Sequence, residues 1–413
     1  MLCRKERDDM KKLLQINSVV NTGSTGRIAE EIGQTAIEAG WESYIAFGRN
    51  ERPSASALIK VGTERDIKIH GLQTRLFDRH GLGSRRATKE LIRKIEKIEP
   101  NVIHLHNIHG YYINIEVLFQ YLRIADLPVV WTFHDCWPIT GHCSYFTFVG
   151  CDKWKTNCYS CPKKKEYPSS WFLDRSSKNH VLKKELFTSL PNLTLVPVSQ
   201  WLSGILDESF LQDYPIRVIH NGINTDIFKP SATANFRVKY QLENKFILLG
   251  VANIWDRRKG LDDFIELSKL LNSDFQIVLV GLTQKQIEQL PENIIGIERT
   301  ESVEELAEIY AESDVFLNPT YEDNFPTTNL ESLACGTPVV TYRTGGSPEA
   351  IDESTGIVVE RGDINGLVEA IQMIKRNGKQ SYMDACVNRS HRLYKKEDRY
   401  REYLELYESL LNE

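Results

Sequence analysis

Short apolar runs rich in β-branched residues recur along this chain and alternate with stretches long enough for amphipathic helices. In the first half the runs are KKLLQINSV, SYIAF, NVIHLH, LPVVWTFHD and LTLVPVS; in the second they are KFILLGVA, FQIVLVG, DVFLNPT, TPVVTY and GIVVE. Runs with little alternation fit strands buried on both faces, as in a parallel sheet covered by helices. Two such series in succession predict an α/β chain of two Rossmann-like domains. Length agrees, because 413 residues exceed one comfortable core and divide into two domains of roughly 200 residues.

The join is expected at YPIRVIHNGINTDIFKP, where a strand meets the turn signal Asn221-Gly222 and a polar stretch runs on to Pro230. The expected domains are therefore residues 10–218 and 219–395. The last helix, 396–413, presents Tyr400, Tyr403, Leu404, Tyr407, Leu410 and Leu411 as one stripe that must be buried, and is expected to pack on the first domain. Within the second domain, SVEELAEIYAES places Val303, Leu306, Ala307 and Tyr310 on one helix face behind a Ser302/Glu305 capping box. The first nine residues are charged without an apolar core, which reads as a frayed or misassigned start rather than a signal peptide.

A net charge of −5 argues against a general nucleic-acid binder. No apolar run approaches the roughly 18 residues of a spanning helix. A cytoplasmic location is expected, and there disulfides among the eight cysteines would be unusual.

In open α/β sheets ligands bind beyond the carboxyl ends of the strands, so the residues after each strand carry the functional information. NSVVNTGSTGRIAEEI sets Gly23 and Gly26 before a helix whose unpaired amides suit a phosphate, with Arg27 adding a cation. The same glycines serve equally as a structural turn, since the full dinucleotide fingerprint is absent. VIHLHNIHG and WTFHDCW bring His104, His106, His109 and His134 to or beyond strand ends. His104 and His106 share a strand face, and a metal there would need a third ligand that the sequence does not identify. His134-Asp135 closes an apolar run and is placed for chemistry, because an imidazole pairs with a hydroxyl or a developing charge.

In the second half, GVANIWDRRKGLDDFI delivers Arg257, Arg258 and Lys259 to a loop ending at Gly260, a solvated turn or a diphosphate clamp. EDNFPTTNLESLACGTPVV, residues 322–340, reads as loop, short helix, glycine turn and buried strand. With Pro326 at the first helical position, the amides of Thr327 and Thr328 point out of the helix N-terminus toward an anion. If the segment is largely helical, Asp323 and Glu331 lie about 12 Å apart along the axis. That is the span of a molecule with hydroxyls at both ends and phosphates between, such as a nucleotide sugar. The two acids then read hydroxyls and do not form an acid/base pair.

The glycine turn at Gly23–Gly26, the FHD histidine, VIHNGINTDIFKP, RKG, SVEELAEIYAESDVFLNPT and EDNFPTTNLESLACGTPVVTYRTGGSPE together resemble the family 4 retaining glycosyltransferases over nearly the whole chain. The resemblance implies the GT-B fold: two facing Rossmann-like domains with parallel sheets and a central donor cleft. The N-terminal domain would lie on the acceptor side, the C-terminal domain would bind the nucleotide sugar, and the two would close over the donor. It implies that Asp323 contacts the donor hexose and Glu331 the ribose. Lys259, Arg258 and the stretch Phe325, Pro326, Thr327 and Thr328 would hold the diphosphate, with Gly23 and Gly26 beside the donor. His134 would stand at the reacting sugar, with His106, Asp135 and Tyr145 toward the acceptor. Two positions depart from the family pattern. The first acid is Asp323 rather than Glu, preceded by Glu322, and Asn253 stands where an arginine is common, leaving Arg257 or Arg258 to compensate.

The family chemistry is transfer with retention at the anomeric carbon, the leaving phosphate helping to deprotonate the acceptor hydroxyl. The chain has no D-x-D triplet, which agrees with a transferase needing no divalent metal for the diphosphate. The partners implied are a nucleotide-diphosphate sugar and a saccharide or lipid-linked acceptor of cell-surface polysaccharide assembly. SRRATKELIRKIEKIEP carries Arg85, Arg86, Lys89, Arg93, Lys94 and Lys97, either an anionic-lipid contact at the membrane face or a solvated helix face. The rival readings are a nucleotide-sugar 2-epimerase of the same fold and a non-catalytic sugar-binding protein. The acid-x7-acid element with its RKG partner counts against the first, and the second would have no reason to keep His134 together with a complete donor clamp.

GHCSYFTFVGCDKWKTNCYSCPKKKEYP packs Cys143, Cys151, Cys158 and Cys161 into a C-x7-C-x6-C-x2-C pattern after the His134 strand. The close C-x2-C pair is typical of a tetrahedral thiolate site, although the first gap is longer than in common zinc modules. Structural zinc, disulfides and free thiols are the alternatives, with zinc the expectation. Tyr145, Phe146 and Trp154 are expected to line an acceptor site.

Overall fold

A computed structural model describes residues 10–231 and 234–412, so the reading of the first nine residues lies outside the described residues. The chain forms two compact units. One runs up to Ile219 and takes the chain back from Arg399, and the other is His220–Asp398.

The sheet of the first unit contains β1 (Lys12–Asn17), β2 (Glu42–Phe47), β3 (Ala57–Lys60), β4 (Val102–Leu105), β5 (Val129–Phe133) and β6 (Leu193–Pro197). They lie in the order β3-β2-β1-β4-β5-β6, every neighbouring pair parallel. The second sheet contains β7 (Phe246–Val251), β8 (Phe275–Val280), β9 (Ile294–Ile297), β10 (Val315–Asn318), β11 (Val339–Tyr342) and β12 (Gly356–Val359). Its order is β12-β11-β10-β7-β8-β9, again all parallel. Both sheets follow the doubly wound order, reversing direction between β1 and β4 and between β7 and β10, and the crevice at such a reversal is where ligands bind. β4, β5, β6, β10 and β11 are buried at every position, which explains their unbroken apolar runs.

Four local expectations are corrected. The strand expected at the join is a single bridge, Ile216 against Leu195, with Ile219 N–H donating to the Pro197 carbonyl. Gly23 opens the helix Gly23–Glu38 and Gly26 lies in its first turn, so the two glycines do not precede it. Ser302 caps its helix by accepting from Glu305 N–H at 3.1 Å, but the Glu305 carboxylate turns to the Glu301 amide at 2.6 Å, leaving the box open. The helix in the acid-rich segment is Thr327–Ala334, with Pro326 as its N-cap rather than its first residue.

The final helix, Lys396–Asn412, closes the core of the first unit. Tyr400, Tyr403, Leu404, Leu406 and Tyr407 pack with Leu13, Val102, Val130 and Val196 of the sheet, and Leu410 and Leu411 lean on that cluster. Each large side chain so buried contributes about 1.5–3 kcal/mol.

Candidate active site

In the second unit the site grows from the reversal between β7 and β10. After β7 the chain makes a short 3-10 turn, Arg257–Lys259, capped by Asp256, whose carboxylate accepts from Lys259 N–H at 3.1 Å. Gly260 follows with φ +74°, and a Cβ there would lie 2.3 Å from the Pro319 carbonyl, so only glycine lets this loop close onto the one after β10. The second loop carries the acids. Lys259 Nζ contacts the Asp323 carboxylate, with side chains 20% and 15% exposed. Arg258 Nη1 donates to the Glu322 carbonyl at 2.9 Å, and Tyr321 N–H to the Arg258 carbonyl at 2.7 Å. Glu322 itself is buried. Asn253 is exposed.

Asp323 lies in the irregular loop ahead of the helix, so the axial spacing expected between the two acids does not apply to it. Its backbone is fixed instead by the glycine turn after β11. Gly346 N–H donates to the Asp323 carbonyl at 3.1 Å, and at Gly345, φ +54°, a Cβ would sit 1.8 Å from that oxygen. Glu331 is buried on the helix and accepts from the Tyr310 hydroxyl at 3.0 Å. Asn329 pins the same helix, accepting from Asn318 at 2.8 Å and donating to Ser347 at 3.0 Å. Phe325 packs on His220, ring centroids 4.7 Å apart, and its carbonyl accepts from Asn221 at 3.2 Å. The first helical turn has no acidic residue and its N-cap makes no side-chain hydrogen bond.

In the first unit His134 follows β5. Its Nε2 lies 3.1 Å from His106 Nδ1, and the two rings stack at 5.4 Å. The proton positions follow from the partners. Gln15 Nε2 donates to the Ala29 carbonyl at 2.8 Å, so Gln15 Oε1 accepts from His106 Nε2–H at 3.0 Å. His106 Nδ1 then accepts from His134 Nε2–H, and His134 keeps its lone pair on Nδ1. Burial holds the His134 imidazole neutral, its pKa lowered to about 4. His104 backs His106 at 3.9 Å, receiving the Tyr407 hydroxyl on Nδ1 at 2.6 Å and meeting Thr132 Oγ1 at 2.8 Å. His106 is thus a buried support whose nitrogens both serve the fold and His134.

Asp135 pairs with His109 Nε2 at 2.7 Å and accepts from Trp137 N–H at 2.9 Å. Burial alone would raise this carboxyl, but His109 and the Trp137 amide bring it below the usual range. His109 Nδ1 lies 3.0 Å from the Tyr167 hydroxyl. Tyr145 is half-buried, whereas Phe146 and Trp154 are buried and stacked on one another at 4.9 Å. Those two rings therefore fill the loop interior, correcting their placement at an acceptor. Gly23 is in open space, while Gly26 packs against the turn at Val19–Asn21. Gln15, Tyr310, His220 and Asn221 escaped the sequence reading because each acts only through a partner distant in sequence.

Two doubly wound sheets, with an ion pair and a helix N-terminus at the strand ends of the second, define a protein class, that of chains with two Rossmann-like units. The family follows from comparison. Residues 25–227 match the Glycosyltransferase Family 4 model and residues 245–377 the model for Glycosyl transferases group 1, and the chain belongs to these glycosyltransferases. The putative colanic acid biosynthesis glycosyl transferase WcaC of Escherichia coli K12 is 24% identical over 420 residues, covering 96% of this chain and 100% of that protein. Among solved structures, sucrose-phosphate synthase from Thermosynechococcus elongatus superposes with TM-score 0.74 at 17% identity, covering 97% of this chain and 99% of that one. Anabaena HepE in complex with UDP-glucose gives 0.68 at 14% identity, covering 96% and 99%. These likenesses establish the GT-B fold.

Proposed function

We propose that this glycosyltransferase moves a hexosyl unit, with retention of anomeric configuration, from a nucleoside diphosphate sugar to a saccharide or lipid-linked acceptor in cell-surface polysaccharide assembly. The observation that carries the donor assignment is the Lys259–Asp323 contact at the β7/β10 reversal, immediately ahead of an uncapped helix bearing Glu331. Lys259, Arg258 and the Thr327 and Thr328 amides take the diphosphate, Glu331 the ribose and Asp323 the hexose. WcaC, whose name places it in colanic acid biosynthesis, and HepE, solved with UDP-glucose, support the pathway class and the donor class.

In this reading the cleaved bond joins the anomeric carbon to the diphosphate, whose departing oxygen is met by Lys259 and the helix amides. The acceptor hydroxyl attacks on the same face and passes its proton to that oxygen. The protein acts by positioning and electrostatics. His134, neutral with its lone pair on Nδ1, accepts a hydroxyl of the reacting sugar, with Asp135 and Tyr145 toward the acceptor. The charge complement comes from side chains and amides, so activity should survive EDTA. The deciding experiment is a screen of purified protein against UDP-, GDP- and dTDP-sugars with saccharide acceptors, the product's anomeric configuration read by NMR. An inverted product overturns retention, and isomerisation without an acceptor overturns transfer.

A cytoplasmic enzyme acting on lipid-linked acceptors would dock on the membrane face. Among the described residues no helix is long and apolar enough to cross a membrane. The helix Arg85–Ile98 buries Ala87, Leu91 and Ile95 and exposes its basic residues. Ile69, Leu72, Phe77, Trp171 and Phe172 are exposed in the same unit, where Trp171 N–H donates to the Arg75 carbonyl at 2.7 Å. We take these as the contact with anionic lipid. Sedimentation with phosphatidylglycerol vesicles but not phosphatidylcholine vesicles supports it, and equal partitioning refutes it.

A further inference from the structure

The segment after His134 holds a second constellation that sugar transfer does not use. Cys143, Cys151, Cys158 and Cys161 all line one small cavity together with His142 and Trp154. Residues 140–162 contain little regular structure beyond the 3-10 turn Lys153–Lys155, so something other than backbone ladders must order them. We propose that this cavity is a structural zinc site, in which the thiolates of Cys143, Cys151, Cys158 and Cys161 hold one ion tetrahedrally.

Backbone amides face two of the four sulfurs. Gly141 N–H donates to Cys158 Sγ at 3.2 Å, and a Cβ on Gly141 would lie 2.0 Å from the Ser176 carbonyl, so glycine is what lets the loop reach the sulfur. The Lys163 amide hydrogen-bonds Cys161. Amides aimed at sulfur stabilise negative charge there, as outer partners of metal ligands do. Four thiolates around a divalent cation leave about two negative charges, which burial makes costly unless cations stand near. Lys183 is the basic side chain within electrostatic reach of Cys158 and Cys143. It is buried, with its Nζ held by the Trp137 and Thr140 carbonyls at 2.6 and 2.9 Å, on the helix Ser176–Phe187 that packs beside the loop. His142 also lines the cavity, outside the four-cysteine set. Its Nδ1 is fixed by Asp78 at 2.6 Å, while its Nε2, buried at the cavity, has no hydrogen-bond partner.

As the side chains stand, no group of three or more histidine, cysteine or acidic residues among the described residues is placed to hold an ion, and Cys143 hydrogen-bonds Cys161 instead. The backbone already brings the four cysteines to one cavity. Ligation therefore requires the four side chains to turn toward one point. Disulfides are the competing use of the same thiols.

The test is elemental analysis of protein purified without added metal or chelator, followed by exchange with cobalt. About one zinc per chain and sulfur-to-cobalt charge-transfer absorption in the near ultraviolet are expected. Because ligand loss can unfold the loop, Cys158→Ser/Cys161→Ser is paired with two single variants read for metal content alone. Cys151→Ser should fall to roughly a tenth of the wild-type zinc or less, and His142→Ala should keep most of it. Zinc lost with His142→Ala but kept with Cys151→Ser overturns the all-thiolate set. Metal-free wild-type protein in which all eight cysteines titrate as thiols after denaturation, or a mass lower by about four hydrogens from two disulfides, overturns the site altogether. These readouts do not depend on the transferase reading.

Discussion

Lys259 and Asp323 hold each other, so the donor proposed for this site must compete for both. A partly shielded ion pair gains more from its geometry than an exposed one, and it keeps both groups charged and oriented. Lys259→Ala should weaken nucleotide diphosphate binding roughly 10- to 100-fold, the loss of one charge-assisted contact. Asp323→Ala should weaken the intact donor and leave the free nucleotide within about threefold. Glu331→Gln, which keeps an acceptor for Tyr310, should weaken nucleotide and donor alike. Calorimetry with both ligands decides, and equal losses for both ligands in both acid variants would sink the two-ended assignment. His134→Ala should lower kcat by roughly two to four orders of magnitude with little change in donor affinity. Because burial lowers its pKa to about 4, the acid limb it imposes on kcat should lie near that value rather than near 6.5. That Lys259 and Asp323 belong to neighbouring strand-end loops was legible in the sequence because each follows a recognisable apolar strand. Their supports were not. Nothing local marks Gln15 as the group that sets the tautomers of His106 and His134, or Tyr310 as the partner of Glu331.

At the scale of elements, ten of the twelve strands were visible as apolar runs, and the two that were not are β3 and β9. Both are edge strands of four residues. β3 buries only Ile59, and β9 contains Gly296 and buries only Ile294, so neither needs the double-faced apolar pattern that betrays a central strand. The extended segment before Asn221 was expected as a strand for the opposite reason: PIRVI has the composition but makes only an edge bridge to β6. The helix Thr327–Ala334 starts one residue later than its proline suggested, because Pro326 takes the extended conformation of a cap, φ −70° and ψ 118°. The turn that holds Asp323 is equally constrained. Gly345→Ala drives a Cβ into a carbonyl oxygen at a positive φ, and should cost 1–3 kcal/mol or more by urea denaturation as well as donor affinity. In the final helix, Tyr407→Phe leaves His104 without its 2.6 Å partner and should cost about 1–3 kcal/mol. A variant as stable as wild type would show that the bond contributes nothing net.

Across the whole molecule, the histidines set a pH response. His70 and His134 are lowered to about 4 by burial, and His80, His104 and His106 are pushed well below 6.5 by burial and by neighbouring histidines. Between pH 6.5 and 4 the unfolded chain binds protons that the folded chain refuses. Stability therefore rises with pH across that window and is lost on acidification through it. The urea midpoint should fall between pH 7.5 and pH 5, and an unchanged midpoint would show that these rings are charged inside the fold. The final helix has a consequence for how the protein is made. The Tyr407–His104 bond joins residues 303 positions apart, and the Thr132–Tyr403 bond joins residues 271 apart. A ribosome therefore finishes the second unit before it supplies the last wall of the first, whose sheet must wait with Leu13, Val102, Val130 and Val196 uncovered. A nascent chain halted before Arg399 should stay open to protease in its first unit while its second is already resistant. Activity then arrives only once residues 400–407 have been made, so the unit begun first is the one completed last.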